Sequence, residues 1–571
     1  MTHKHVFTEE HMEKDGLSLV LKLEGEGGQG RMHMEEQGSI AVNQLGYRST
    51  DAKIAMIAGE GGRFRLVDHA SGAVVWQGDT MSAVDDQASG IKVSRGDFSV
   101  WSQPGAYRIE AGEGHSSYPF VISDAVYEEA HQALLKAFYF FRCGMELEEK
   151  YAGPWKHAAC HLTPALVYGE EPRRIDAWGG WHDAGDYGKY VVPGAKAVAD
   201  LLLAYECYPQ AFEGALPLPE SDGVMPDVLH ECRYELEWLL RMQEGESGGA
   251  YHKLTTLQFP GPDVMPEADT AELYISPISA TATGCFAGVM AMAARVYAPH
   301  DAAFAASCLK AAEQAWAWLE RHCKYPGFRN PAEVFTGEYG DEQDLDERYW
   351  AAAELYRTTG EARYHEAFRG LAGQDAFDKY ELGWADMGGY GTISYLLSER
   401  ENEPQLAARL LAGLQQRADE LAAVSREDGF GISLRPEQYI WGSNMLVMNH
   451  AMLLLIADRL LGSQTYERCA LEHVHYLFGA NVVGISYVTG LGSRPILHPH
   501  HRPSEGDGIE APVPGLVSGG PNYGKQDEYA REHLADKAPA ASFADVMESY
   551  ATNEVTIYWN SPAVFVLSHF V

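Results

Sequence analysis

Over residues 39–123 the apolar positions come in short runs, at 53–57, 64–67, 74–77, 91–93 and 107–110, separated by turn-forming clusters such as 59–62 and 70–72. Short strands punctuated at this spacing predict a β-sandwich of about 85 residues. Beyond residue 124 the period changes to that of a helix and stays there. Twelve helices are predicted, over 125–150, 194–208, 228–243, 280–297, 302–322, 344–359, 362–372, 392–398, 403–424, 442–461, 463–478 and 553–567. Asp301 and Ser463 read as N-caps. A helical solenoid would carry a fixed repeat and none is visible, so an α/α toroid is the better expectation. The predicted organisation is an extension over 1–38, a sandwich over 39–124 and a helical domain over 125–571. Three long loops, 151–193, 244–278 and 479–547, are where function-bearing residues would gather at one end of a helical scaffold.

Composition narrows the partners. With 46% hydrophobic and 22% charged residues, the 571-residue chain has the make-up of a globular protein, and disorder is excluded. Its 81 acidic against 44 basic side chains give a formal charge of −37. Phosphate binding needs the opposite field, so no nucleic-acid partner is expected. Most of those carboxylates read as a solvated face, although the field would draw a cationic or neutral substrate. The most apolar stretch, 445–461, is broken by Asn449, His450 and Asp458, so no membrane span is expected. Residues 1–38 lack the basic start and small-residue cleavage site of an export signal. Eight scattered cysteines are too few for a disulfide scaffold, and the two observations together predict a cytoplasmic protein. Nothing in the pattern specifies an oligomeric state.

Chemistry concentrates in three places. Residues 178–190 read WGGWHDAGDYGKY, with Asp183 and Asp186 three apart around a glycine and walled by four aromatics. Aromatic faces stack on pyranose rings and carboxylates drive glycosidic cleavage; a calcium loop or a capped turn fits this segment equally well. Residues 486–502 read SYVTGLGSRPILHPHHR, a proline-rich loop whose His and Arg side chains could hydrogen-bond sugar hydroxyls. Residues 543–561 place Glu554 at the start of an apolar helix, where a lone Glu commonly complements the helix dipole.

Together these segments resemble glycoside hydrolase family 9, whose members carry the Asp-Ala-Gly-Asp segment, a histidine signature ending in His-x-Arg, and a C-terminal signature with an Asp and a catalytic Glu. The resemblance continues in Phe140-Phe141-Arg142-Cys143-Gly144, Asp346-Glu347-Arg348-Tyr349-Trp350, Trp441-Gly442-Ser443-Asn444 and Asn43-Gln44-Leu45-Gly46-Tyr47, and runs from about residue 39 to the end. It implies a multi-domain fold, a small all-β immunoglobulin-like sandwich followed by a large all-α (α/α)6 barrel. It also implies an inverting hydrolase with Asp186 as base, Glu554 as acid and Asp183 orienting the same water. To stay protonated, Glu554 would need an apolar pocket or a second carboxylate, for which Asp545 is the candidate. His500, Arg502 and Tyr550 would hold the sugar beside the scissile bond, with Trp350, Tyr439 and Trp441 as candidate walls.

No organic cofactor is expected. Cys143, Cys160, His161 and His182 offer two thiolates and two imidazoles, the ligands of a closed tetrahedral zinc site, and some members of the resembled family bind structural zinc at these positions. The alternative is two reduced core cysteines and two surface histidines. Calcium is compatible with the family, but no loop has an EF-hand pattern. An unexported hydrolase would meet short imported oligosaccharides rather than polymers, which favours exo-action on a β-linked oligosaccharide. The expected substrate is chitosan oligomers, making the protein an exo-β-D-glucosaminidase, because a −37 protein would draw an ammonium group. An endoglucanase or cellodextrinase acting on β-1,4-glucan is the alternative. A non-catalytic glycan-binding protein is the second, disfavoured because Asp183, Asp186 and Glu554 are all retained.

Overall fold

The computed structural model describes residues 40–112 and 114–571; the extension expected over 1–38 lies outside the described residues. In the first module inward and outward side chains alternate. Phe64 and Leu66 are buried while Arg63 and Arg65, alternating with them, are exposed, as a sheet with one covered face requires. All five expected strands form, at Ile54–Ala58, Arg63–Asp68, Val74–Asp79, Ile91–Asp97 and Gly105–Ala111, and shorter strands complete a four-stranded and a six-stranded sheet. Pairing is antiparallel except where Phe120–Ile122 runs parallel to Gly46–Tyr47. Tyr47, Phe98 and Phe120 pack against one another between the sheets, with ring centroids 5.3–5.6 Å apart.

The second module contains the twelve expected helices: α1 (Glu128–Phe140), α2 (Val191–Cys207), α3 (Asp227–Arg241), α4 (Ala280–Tyr297), α5 (Ala302–Arg321), α6 (Leu345–Thr359), α7 (Ala362–Ala372), α8 (Gly388–Leu396), α9 (Pro404–Glu427), α10 (Ser443–Leu461), α11 (Glu467–Leu477) and α12 (Ile557–Phe570). The even-numbered helices α2, α4, α10 and α12 are buried on nearly every face, whereas odd-numbered α1, α3, α5, α7, α9 and α11 bury one stripe. A helix apolar all round must lie inside and an amphipathic one outside. The result is an inner ring in which α12, α2, α4, α6 and α8 pack in succession and α10 returns to α12, wrapped by an outer ring, an (α/α)6 barrel. By length and composition α10 could cross a membrane, but here it is a core helix of the inner ring.

Several expected boundaries shift by three or more residues, α12 among them, which begins at Ile557 and leaves Glu554 outside it, and two of the shifts have a visible local cause. Helix α1 stops at Phe140 instead of 150 because the next residues pair with the glycine-rich loop: Cys143 N donates to Gly180 O at 2.7 Å and His182 N to Phe141 O at 2.7 Å. Ser463 is not the N-cap of α11, which begins at Glu467. The carboxylate of Asp458 collects Ser463 Oγ, Thr465 N and Tyr466 N and so holds the intervening turn. Asp301 does cap α5, accepting from Ala303 N and Phe304 N.

The Asn43–Tyr47 motif is the joint between modules. Gln44 Nε2 donates to Gly484 O, Gln44 Oε1 accepts from Arg494 N, and the Tyr47 ring meets that of His475 at 4.9 Å. Arg95 of the sandwich pairs with Glu472 of α11 at 2.7 Å. A small five-stranded sheet, in the order Arg174–Ile175, Ala165–Val167, Tyr274–Ile275, Lys253–Thr255 and Lys189–Tyr190, ties the loops of 151–193 and 244–278 together at one end of the barrel.

Candidate active site

The loop bearing Asp183 and Asp186 is clamped from below by buried charge. Arg142 grips Glu231 of α3 with Nε and Nη2, both at 2.9 Å, and Glu231 also accepts from Trp181 Nε1. Glu235 accepts from Trp181 N at 2.6 Å, and Lys189 Nζ donates to the carbonyls of Ala177 and Gly179. Gly180 has φ +73°, and a Cβ there would stand 2.7 Å from Trp238, so only glycine lets the loop lie against α3.

The three signature segments meet on top of this clamp. Ala184 bridges Thr556, Ile557 N donates to Asp183 O, and His500 bridges Glu554. Gly185 sits so close to the histidine segment that a Cβ would lie 1.9 Å from His500 O. Its own carbonyl accepts from Arg502 N and from Arg502 Nη1 at 2.8 Å. Asp183 is buried, with Oδ2 accepting from Tyr339 Oη at 2.5 Å and Oδ1 without a partner. Asp186 Oδ1 accepts from Gly188 N at 2.6 Å. Glu554 is half-buried, and its Oε2 accepts from Trp441 Nε1 at 3.1 Å.

These surroundings separate the carboxyls. Burial pushes the Glu554 carboxyl up to about 8, and the neighbouring Asp186 adds to that more strongly than the Trp441 indole opposes it. Burial raises Asp186 as well, but the Arg502 guanidinium, the Gly188 N–H and the Lys253 ammonium all pull it back. Asp183 is held well above the ordinary carboxylate range by burial and by Asp186, Glu554 and Glu235, against the Tyr339 hydroxyl. Two carboxyls whose environments drive them apart can divide acid and base roles near neutral pH.

Around them, His500 Nδ1 lies 2.8 Å from Met547 O, which only accepts. Nδ1 therefore carries the proton, and Nε2 is left as an acceptor for a hydroxyl. Arg502 is fixed by Gly185 O and Pro260 O beside the Phe259 ring. Trp441 and Tyr550 stand 5.4 Å apart with 38% and 37% of their surfaces open, a stacking platform next to Glu554.

Three expectations are corrected. Trp350 is fully buried on α6, pressed on Gly288 of α4 and against Tyr390, so it fills the barrel core and walls no cleft. Tyr439 is 2% exposed, with a buried hydroxyl in the neighbourhood of Tyr476, Asp428 and Asp86. Asp545 is not the partner of Glu554, since its oxygens accept from Leu497 N, His498 N and Asn553 Nδ2 and so hold the histidine loop in place. Two contributors fall outside every motif. Tyr339 reaches Asp183 from a loop in which its own φ is +46°, a costly conformation for a tyrosine. Lys253 braces that loop through Gly337 O and Thr336 Oγ1. Neither residue carries a sequence signal: Lys253 lies on a strand of three residues and Tyr339 on a loop.

The four expected zinc ligands converge. One ligand atom from each of Cys143, Cys160, His161 and His182 lies within 4.8 Å of all the others, with Cys143 Sγ 3.9 Å from His161 Nδ1 and Cys160 Sγ 4.0 Å from His182 Nε2. Tetrahedral Zn–S and Zn–N bonds imply ligand separations of about 3.3–3.8 Å, so a small inward movement closes the shell. His161 Nε2 faces Asp269 Oδ2 at 3.5 Å, the outer carboxylate that orients a metal-bound imidazole. The alternative of surface histidines fails, because neither side chain reaches the surface. A second cluster of buried acids follows no EF-hand pattern. Burial raises the carboxyls of Asp341, Asp346, Glu347 and Asp386 around the start of α6, Asp346 further raises those of the other three, and Glu347 is fully buried with both carboxylate oxygens unpartnered. Buried hard oxygens without a donor fit calcium.

Comparison with known proteins agrees with this geometry. Residues 127–567 match the model of glycosyl hydrolase family 9, and 35–116 that of the cellulase N-terminal ig-like domain. The chain is 37% identical to a cellodextrinase of Butyrivibrio fibrisolvens over 93% of its own length and 99% of the relative's. The structure of a single mutant of a thermostable endoglucanase from Alicyclobacillus acidocaldarius superposes with a TM-score of 0.89 at 42% identity, covering 93% of this chain and 99% of that one. A Zn-binding triple mutant of the family 9 endoglucanase J30 superposes at 0.86 with 37% identity, covering 92% and 99%. From signatures, barrel and cleft alike, the chain belongs to glycoside hydrolase family 9 and is a glycoside hydrolase with an N-terminal immunoglobulin-like domain.

Proposed function

We propose that the protein is an inverting β-1,4-glucan hydrolase acting on cello-oligosaccharides, with Asp186 as the base that activates water and Glu554 as the acid that protonates the leaving oxygen. The observation that carries this reading is the divergence of the two carboxyls within one cleft. Glu554 is pushed up to about 8 while Asp186 keeps a guanidinium, an ammonium and an N–H on its side. Protonated Glu554 donates to the glycosidic oxygen. Ionised Asp186 takes a proton from water on the opposite face, and the unpartnered Oδ1 of Asp183 offers that water a second hydrogen bond. His500 Nε2, Arg502 and the Trp441–Tyr550 platform hold the sugar.

Glucan replaces glucosamine as the preferred sugar. The relatives reported above are a cellodextrinase and endoglucanases, and Asp545 of the C-terminal signature spends its oxygens on three N–H donors rather than on an ammonium. The test is a panel of cello- and chitosan oligosaccharides with products followed by NMR from the earliest times. We expect inverted anomers from the cello series and at least tenfold slower turnover of the chitosan series. The sizes of the first products read whether cuts are terminal or internal. Retained configuration, or turnover of glucosamine oligomers alone, overturns the reading.

Two metals complete the proposal, neither carrying a step of the reaction. Zinc at Cys143, Cys160, His161 and His182 would hold the loop that begins at His182. Calcium at Asp346 and Glu347, with Asp341 and Asp386 near, would neutralise buried charge at the start of α6. For calcium, chelation should lower Tm by several degrees, and added Ca2+ should restore it where Mg2+ does not, because the smaller ion demands a tighter octahedron. A Tm indifferent to chelator, in protein whose elemental analysis finds no calcium, removes the site.

A further inference from the structure

The loop that carries Tyr339 closes on one fully buried side chain, His252. At the start of the loop the Phe328 ring stacks on the imidazole, with centroids 3.6 Å apart and planes 11° from parallel. At the other end Glu338 O lies 3.0 Å from His252 Nε2, and Tyr339 follows directly. We infer that His252 is a positioning residue of the hydrolysis: by holding the Glu338 carbonyl it keeps the Tyr339 hydroxyl on Oδ2 of Asp183 and so leaves Oδ1 free for the attacking water. The inference rests on the proposed inverting reading and extends it from the carboxylates to a residue that aims them.

Donor and acceptor roles fix the imidazole. A carbonyl only accepts, so Nε2 carries the proton and Nδ1 accepts from Ser279 Oγ at 2.8 Å. Ser279 is itself held as the N-cap of α4, where its Oγ accepts from Ala282 N. Burial pushes the His252 pKa down to about 3, below that of Asp186, so the ring is neutral wherever Asp186 is ionised. The backbone is fixed as well, since His252 N donates to Pro277 O and Val191 N donates to His252 O. The next residue, Lys253, pairs with Tyr190 in the small sheet. One sheet therefore anchors both the strand that follows Asp186 and the side chain that grips the Tyr339 loop.

Tyr339 needs such a grip. Its φ of +46° lies in the left-handed region that a Cβ resists, so the loop would relax out of it unless its neighbours were held. The restraints are consecutive: Thr336 O accepts from Asn330 Nδ2, Gly337 O from Lys253 Nζ and Glu338 O from His252 Nε2. Past them the phenol ring packs 4.8 Å from Tyr190 and 5.0 Å from Trp384, and its hydroxyl donates to Asp183 and lies 3.2 Å from Tyr558 Oη. With Oδ2 so occupied, the unpartnered Oδ1 is the oxygen of Asp183 left for water. Lys253 also adds charge beside Asp186, whereas the neutral His252 acts through the loop alone.

A double-mutant cycle in kcat and KM on cellopentaose tests the assignment. His252→Phe keeps a flat ring against Phe328 and removes the donor, and Tyr339→Phe keeps its ring and removes the hydroxyl. We expect either change alone to lower kcat about tenfold, the order of one hydrogen bond to a charged group, with KM within about twofold of wild type. In the Tyr339→Phe background His252→Phe should cost less than about twofold, because nothing is left for it to position. His252→Gln, whose amide can place an N–H against Glu338 O, should recover most of kcat. His252→Asn, too short to reach that carbonyl, repeats the cycle if the buried Phe does not fold. Losses that multiply in the double variant make His252 a support of the sheet and overturn the inference, as does wild-type kcat in either single variant or a loss confined to KM. A wild type that cleaves no cello-oligosaccharide, or cleaves with retention, overturns the inverting glucanase reading and the inference with it, a result distinct from intact inverting cleavage with losses that multiply.

Discussion

Asp186→Asn and Glu554→Gln should each lower kcat/KM on cello-oligosaccharides by about a thousandfold or more, within the range general acid–base groups contribute, while leaving the fold intact. Neither side chain supports the architecture: Asp186 makes one local bond to Gly188 N and Glu554 one to Trp441. The pH profile separates their roles. In wild type, kcat/KM should fall as pH rises through about 8, where Glu554 loses the proton it must donate. It should also fall at low pH as Asp186, raised above the ordinary carboxylate value, takes one up.

For the acid, stability falls with rising pH as activity does. Because the folded pKa of Glu554 is raised, the native state binds its proton more tightly than the unfolded chain does. That contribution is complete below the unfolded value near 4.5 and is lost as pH climbs toward about 8. A permanently neutral Gln avoids the loss, so Glu554→Gln should be inactive yet no less stable than wild type at pH values above about 8. Near-wild-type turnover in either variant, or inactivity explained by a melted protein, contradicts the assignment.

The helical scaffold was readable because burial leaves a periodic trace. Inner helices such as α4 are apolar on all sides and outer ones such as α5 on one stripe, so both their existence and their layer follow from composition around the helix. The small sheet joining the loops left no trace, since strands of two and three residues are too short for a period to register. Aromatic residues exposed the deeper limit. Trp350 and Trp441 occur in equally aromatic motifs, but one fills the space over Gly288 and the other faces Glu554. Only the opposing surface distinguishes them, and that surface comes from another part of the chain. Tyr339 is the converse case, a residue with no motif whose hydroxyl reaches Asp183 because Lys253, far away in sequence, braces its loop.

Zinc removal should be the largest stability effect short of unfolding a module. Cys160→Ser is expected to abolish the binding of about one zinc per chain and to cost about 4 kcal/mol or more, as losses of a structural metal do. For a domain of this size that corresponds to a fall in Tm of about 4 °C or more. Two reasons make the site structural rather than chemical. All four positions for a tetrahedral ion would be filled by protein ligands, leaving none for water or substrate. The ligands also join separate pieces of chain: Cys143 follows α1, Cys160 and His161 lie in the long loop after it, and His182 immediately precedes Asp183. Activity should therefore decline with the order of the Asp183–Asp186 loop, most visibly as a lower temperature of inactivation, while the alkaline limb near 8 stays where Glu554 sets it. Asp269→Asn supplies the graded case. It keeps all four ligands but weakens the outer partner of His161, so zinc affinity should drop about 10- to 100-fold with the stoichiometry unchanged at saturating metal. Elemental analysis and melting with and without chelator decide the matter. Protein free of zinc that melts at the same temperature as the purified form would show that the two thiols and two imidazoles converge for packing alone.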